Sequence, residues 1–166
     1  LLVSDSFNRA DVADGLGSAD TGHAWTALLG TWGISSNRAY VSAGAGNPMT
    51  ARVNAGRADV LARVTVVDAV AGSASRIALR ISDNDNMFLL GVAPDSWALH
   101  RLEAASFNEL LTGAEGADGD VWEILALGSQ FVVFRNGAQV GSVSDTFNQS
   151  ATLHGLAVAD SGNAVR

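Results

Sequence analysis

The chain has 166 residues, with 17 acidic side chains against ten basic ones and a formal charge of -7. That length gives room for one domain with a sizeable core and not for two comfortable ones, and the acidic balance argues against a phosphate-binding surface. Without cysteine there are no disulfides or thiolate metal sites, and without lysine there is no Schiff-base or lysine-base chemistry.

In chain order, the first residues, LLVSDSF, have no basic stretch ahead of an apolar one and so do not read as a signal peptide. No apolar run approaches the ~20 residues of a membrane span. The expectation is one domain over 1–166 within a longer chain. Short strands are predicted around 23–28, 32–35 and 38–42, where Trp25, Trp32 and Tyr40 are separated by Gly30, Gly33 and Asn37. Segments 8–22 and 43–58, rich in Gly, Ala and Asn, read as loops, and Asn47-Pro48 opens a connection. Residues 60–67 are rich in β-branched side chains, and Arg76-Ile-Ala-Leu-Arg-Ile81 alternates cleanly. Further short apolar runs occupy 87–92, 97–102, 121–126, 131–135, 139–143 and 153–158. Asn136-Gly137 suits a type I′ hairpin, which needs positive φ at both central positions, and Gly128-Ser129 suits a type II′ turn. Together they predict a three-stranded meander over Val121–Val143. No helical stripe of useful length appears. A spacing of roughly ten residues between runs predicts an all-β antiparallel sandwich or barrel.

Asp83-Asn-Asp-Asn86 raises the question of a calcium loop. Counted from Asp83 as an EF-hand, position five is Met87, position six is Phe88 and position twelve is Pro94, so the ligand, glycine and glutamate positions all fail. A plain hairpin turn is expected, because Asp and Asn side chains bond nearby backbone and tolerate left-handed φ. A calcium site built on backbone carbonyls is the alternative, and no cofactor is expected. The same turn reading covers Asp118-Gly119-Asp120.

Asp5-Ser-Phe7-Asn-Arg9 opens the chain, followed by Trp25 and Gly30-Thr-Trp-Gly-Ile34. Later come Arg80-Ile-Ser-Asp83, Trp122 ahead of the meander, Arg135-Asn-Gly137 and His154-Gly-Leu-Ala-Val158. This order resembles laminin-G-like domains of the concanavalin A-like lectin/glucanase superfamily. The resemblance spans nearly the whole chain, but rests on strand and turn residues of which none is catalytic. It implies a two-sheet antiparallel jelly-roll sandwich, with one sheet concave. It also implies one more strand after the last turn, either missing beyond Arg166 or begun by residues 160–166. Members bind glycans, cleave them, or serve as non-catalytic modules of secreted enzymes and of bacteriophage tail and virion proteins. The expected function is therefore a non-catalytic carbohydrate-recognition module, extracellular or on a virion surface. Its partner would be a cell-surface glycan or a neighbouring virion protein, with no nucleic acid involved and the oligomeric state left open. Structural decoration without a sugar is the second reading, and glycoside hydrolase or polysaccharide lyase activity the third.

Glucanases of the superfamily carry Glu-x-Asp-x-Glu on one strand, which this sequence lacks. Its nearest acids are Asp118, Asp120 and Glu123, and the last two, three apart, would face opposite sides of a strand. His23, His100 and His154 show no HxH or HExxH spacing, Tyr40 is the only tyrosine, and no Gly-x-Ser-x-Gly elbow is present. No enzymatic activity is expected.

Alternation supplies a candidate binding face. Ile77, Leu79 and Ile81 share one side with Arg80 opposite; Arg63 and Thr65 lie opposite Val64 and Val66; His100 lies opposite Trp97 and Leu99. If these strands are neighbours, Arg63, Arg80 and His100 converge on one polar surface, with Phe88 as an apolar platform. The plainer alternative pairs Arg80 with Glu123 or Asp83. Most of the tryptophans are expected between the sheets.

Overall fold

Among the described residues, which are 1–66, 74–114, 116–159 and the backbone of 164–165, the computed structural model shows strands and no helix. The strands are β1 (Thr26–Ala27), β2 (Thr31–Ser35), β3 (Arg38–Ala43), β4 (Met49–Asn54), β5 (Val60–Thr65), β6 (Ser75–Asp83) and β7 (Asn86–Ala93). They continue as β8 (Ser96–Glu103), β9 (Ser106–Ala114), β10 (Val121–Leu127), β11 (Gln130–Arg135), β12 (Ala138–Ser144), β13 (Leu153–Val158) and β14 (Ala164–Val165).

A seven-stranded sheet runs β1-β4-β13-β6-β7-β8-β9, a four-stranded sheet β12-β11-β10-β5 and a three-stranded sheet β14-β3-β2. Each adjacent pair is antiparallel. The two smaller sheets cover the same face of the large one. Ile77, Leu79, Phe88, Leu90, Trp97 and Leu99 meet Trp122, Ile124, Phe131 and Val133 of the four-stranded sheet. Met49, Ala51, Leu156 and Val158 meet Trp32, Ile34, Ala39 and Val41 of the three-stranded one. Full burial of such side chains contributes about 1.5–3 kcal/mol each, so period-two burial dominates the choice of fold. The result is an all-β antiparallel jelly-roll sandwich.

The meander forms as β10-β11-β12, and its turns have the expected conformations: Asn136 and Gly137 lie at φ 51 and 80, and Gly128 at φ 55. Asp83 to Asn86 is a hairpin turn in which the Asp83 carboxylate accepts from the Asp85 N–H at 2.9 Å and from Asn86 Nδ2 at 2.8 Å. Ala164–Val165 pairs with β3, so the last residues do supply a strand; 160–163 and Arg166 lie outside the described residues, as does Val67 of the predicted 60–67 run. Three tryptophans, Trp32, Trp97 and Trp122, are buried; Trp25 is half-buried.

Three expectations are corrected. The loop assigned to 43–58 contains β4, and β9 was not anticipated. Ile81 does not share a side with Ile77 and Leu79, and Arg80 does not point outward. Leu79 pairs with Phe88 but the next aligned pair is Asp83 with Asn86, so β6 carries extra residues, with Arg80 at φ 50. This bulge reverses the alternation. Arg80 turns inward with no exposed surface, and Ile81 joins Ala78, Met87 and Leu89 on the outer face of the large sheet.

Candidate functional site: a polar cluster outside the seven-stranded sheet

Cross-strand register assembles the site. Arg76 on β6 stands beside Gly91, then Ala98, then Thr112. The adjacent row runs Ala78, Leu89, His100 and Glu109, and Met87, Leu102 and Phe107 form the next. All of these are on the face away from the sandwich interior. Leu28 and Leu153 pack against Ala78, Leu89 and Leu102 of this face. The Arg76 stem runs alongside Gly91: a Cβ there would sit in ordinary van der Waals contact with Arg76 Cγ and Nε, at 3.5 and 3.6 Å.

The Arg76 guanidinium is fixed at both ends. Its Cζ lies 5.5 Å from the Phe107 ring centroid, and Nη1 donates to Asn47 Oδ1. His100 meets Phe107 edge-on, with ring centroids 5.7 Å apart and planes at 85°. Phe107 remains 40% exposed. Partial burial pushes the His100 pKa below the ordinary imidazole range; Arg76 adds to this and Glu109 opposes it. Neutral His100 therefore offers one donor and one acceptor. Arg76, His100, Glu109 and Asn47 give donors and acceptors around an exposed aromatic ring. No group of three or more His, Asp or Glu side chains suited to a metal occurs among the described residues.

Of the four residues predicted for a site, only His100 lies here. Arg63 is on the outside of the four-stranded sheet, 3.9 Å from Glu123, so it and His100 face opposite sides of the molecule. Arg80 is interior. Its Nη2 lies 3.1 Å from Asp59, its Nε donates to the Ala58 carbonyl at 3.3 Å, and its Cζ sits 5.0 Å from the Phe131 centroid. The partner is thus Asp59, not Glu123 or Asp83. Phe88 is core, 4.4 Å from Phe131 between ring centroids. The predicted convergence fails because β5 and β8 belong to different sheets, the bulge inverts Arg80, and Phe88 follows the inward phase of β7. Arg76, Phe107, Glu109 and Asn47 were missed. Arg76 has the same parity as Arg80 in the clean 76–81 alternation, and that was the available signal. Phe107 and Glu109 fall in the unread β9.

A cleft of about 560 Å³ lies elsewhere, between β5, the N-terminal segment and the inner face of the large sheet. Val53, Val64, Ile77 and Leu156 line it, with Asp59 and His154 among its polar groups. Those two are already committed, Asp59 to Arg80 and the Gly128 N–H, His154 to Arg80 and Arg57. A sugar needs polar partners at several hydroxyls, so the outer-face cluster is the better candidate than this cleft.

No protein-family model and no curated protein matches the sequence. Solved structures do match in shape. The carbohydrate binding module CBM66 from Bacillus subtilis aligns with TM-score 0.63 at 15% identity, over 85% of this chain and 89% of that one. The carbohydrate recognition domain of Emp47p aligns at 0.53 and 8% identity, over 96% and 86%. LamAcat from Zobellia galactanivorans aligns at 0.55 and 13% identity, over 99% and 93%. Together with the sheet order, these show that the chain has a concanavalin A-like jelly-roll fold.

Proposed function

We propose that this protein is a non-catalytic carbohydrate-recognition module that binds glycan on the outer face of its seven-stranded sheet. The observation that carries this is Phe107, an exposed ring flanked by the Arg76 guanidinium and the neutral His100 imidazole. Phe107 takes the apolar face of a sugar ring, and Arg76, His100 and Glu109 take its hydroxyls. Two of the solved structures of like fold are by name carbohydrate-binding or carbohydrate-recognition modules, which supports the reading. Glycoside hydrolysis ordinarily uses two facing carboxyl groups, and among the described residues this cluster brings one, Glu109. Asp120 is engaged by Arg135 at 2.7 Å, and Glu123 lies on the opposite sheet. A cell-surface glycan as partner, and an extracellular or phage-virion setting, rest on the motif resemblance alone.

A glycan array followed by calorimetry tests the assignment. Arg76→Ala and Phe107→Ala should each weaken binding by about ten- to a hundredfold, the usual range for lost charge-assisted hydrogen bonds and stacking contacts. Arg63→Ala should leave affinity unchanged, because Arg63 is on the far side. Loss of binding in Arg63→Ala with Arg76→Ala unaffected would move the site to the four-stranded sheet. An array silent for every sugar would favour structural decoration, for which Leu61 and Leu127, each 58% exposed, offer a contact surface.

A further inference from the structure

His154 on β13 is only 7% exposed, and both its ring nitrogens are used. Nδ1 accepts the backbone N–H of Arg80 at 3.2 Å, and Nε2 donates to the carbonyl of Arg57 at 2.8 Å. Only the neutral Nε2–H tautomer satisfies both partners. The ring thereby joins three pieces of chain: β13, the bulge of β6 at Arg80, and the 55–59 turn that leads into β5. The same turn carries Asp59, whose Oδ1 accepts from Arg80 Nη2 at 3.1 Å and from the Gly128 N–H at 3.0 Å. The turn therefore ties the seven-stranded sheet to β5 and to the β10–β11 hairpin.

The charged groups around His154 are Arg80 from β6 and Arg57 from the turn; Asp59 of the turn and Asp5 of the N-terminal segment line the same cleft, and Arg63 of β5 borders it with its guanidinium turned outward toward Glu123. Its β4 neighbour, Val53, is uncharged. A proton on Nδ1 would point at the Arg80 N–H, setting donor against donor, and would add positive charge beside a buried guanidinium. The ring borders the cleft, which gives the imidazolium a wet place to go.

We propose that His154 is an acid-operated latch: protonation breaks its bond from the Arg80 N–H, releases the 55–59 turn and widens the cleft beside β5. The opened cleft exposes an apolar floor of Val64, Ile77 and Leu156. This device is separate from the Arg76–His100 face and does not depend on sugar binding.

Hydrogen exchange read by mass spectrometry at about pH 7.5 and about pH 5, corrected for intrinsic rates, tests it. In the native chain, exchange of 55–66 should rise by about tenfold or more on acidification, and in His154→Gln it should stay flat. A flat native response, or an equal rise in the variant, overturns the latch. Should His154→Gln fail to fold, nitrogen-15 NMR of the native chain decides. The Arg80 and Gly128 amide shifts should titrate with the midpoint of the His154 ring; shifts that follow His100, or that do not titrate, overturn it.

Discussion

Arg80 is a fully buried cation with one imperfect partner. Its Nη1 has no hydrogen-bond partner among the described residues, burial lowers its pKa, and Asp59 only partly opposes that. Asp59 is itself half exposed. Buried pairs of this kind often give no net stability against an apolar replacement, whereas removing one member strands the other. Arg80→Met should therefore cost within about 1 kcal/mol, its thioether filling the space against Phe131. Asp59→Ala should cost more, about 1–3 kcal/mol after allowing for its exposure. Urea midpoints at unchanged slope compare the two, and a larger loss from Arg80→Met would contradict this view of the pair. Asp5 is the opposite case, a carboxylate with every lone pair engaged. It accepts from the Phe7 N–H at 2.8 Å, from Arg9 Nη1 and Nη2 at 2.7 and 2.8 Å, and from Trp25 Nε1 at 2.7 Å. The Asp5-Ser-Phe7-Asn-Arg9 stretch is thus a structural clasp, and Phe7 holds φ 52 within it.

Trp97 shows how two strands make room for a third. A Cβ at Gly113 on β9 would lie 2.7 Å from Trp97 Cε2, and one at Gly141 on β12 would lie 3.1 Å from Cη2. The indole fills the space of two absent side chains and joins both sheets at that edge. Gly113→Val should displace the ring, with a red shift in tryptophan fluorescence and a loss of about 1–3 kcal/mol in denaturant unfolding. An unshifted spectrum would mean that β9 yields instead. Strands were legible as short apolar runs bounded by turn residues: 87–92, 97–102 and 121–126 all fell inside observed strands. β4 was missed although Met49-Thr-Ala-Arg-Val-Asn54 alternates apolar with polar, because the Gly-, Ala- and Asn-rich residues on either side read as loop. β9 escaped because it is a sheet-edge strand, mostly exposed and short of apolar residues. Two of the five residues of the candidate cluster, Phe107 and Glu109, sit on that unread strand. Arg80 was misplaced because parity arguments assume no inserted residue, and nothing in Arg76-Ile-Ala-Leu-Arg-Ile81 announces a bulge.

Acid response belongs to the whole molecule. His100 and His154 both have pKa values below the ordinary imidazole range, chiefly through burial. A depressed histidine favours the fold above the unfolded pKa, and that contribution is lost as pH falls through the folded value. For Asp120, burial alone would raise the pKa, but Asn136, Arg135 and the Ala117 N–H together bring it below the usual carboxylate value. Its contribution is complete above the unfolded carboxylate pKa and disappears at lower pH. Melting temperature should accordingly be level above about pH 6.5, decline below it, and decline again below about pH 4. Glutamine at both 100 and 154 should remove the first decline and leave the second. A first decline that survives those substitutions would assign it to other groups.

The Asn136–Gly137 turn also sets how the protein ages. Asn136 Oδ1 accepts from the Val121 N–H at 2.9 Å and Nδ2 donates to Asp120 at 2.8 Å, so the amide is held away from the Gly137 nitrogen. Asparagine before glycine otherwise cyclises readily to a succinimide and reopens mostly as isoaspartate, a backbone isomer that cannot rebuild the hairpin. Folding therefore acts as chemical protection for this pair, and each excursion to the unfolded chain risks a molecule that no longer returns.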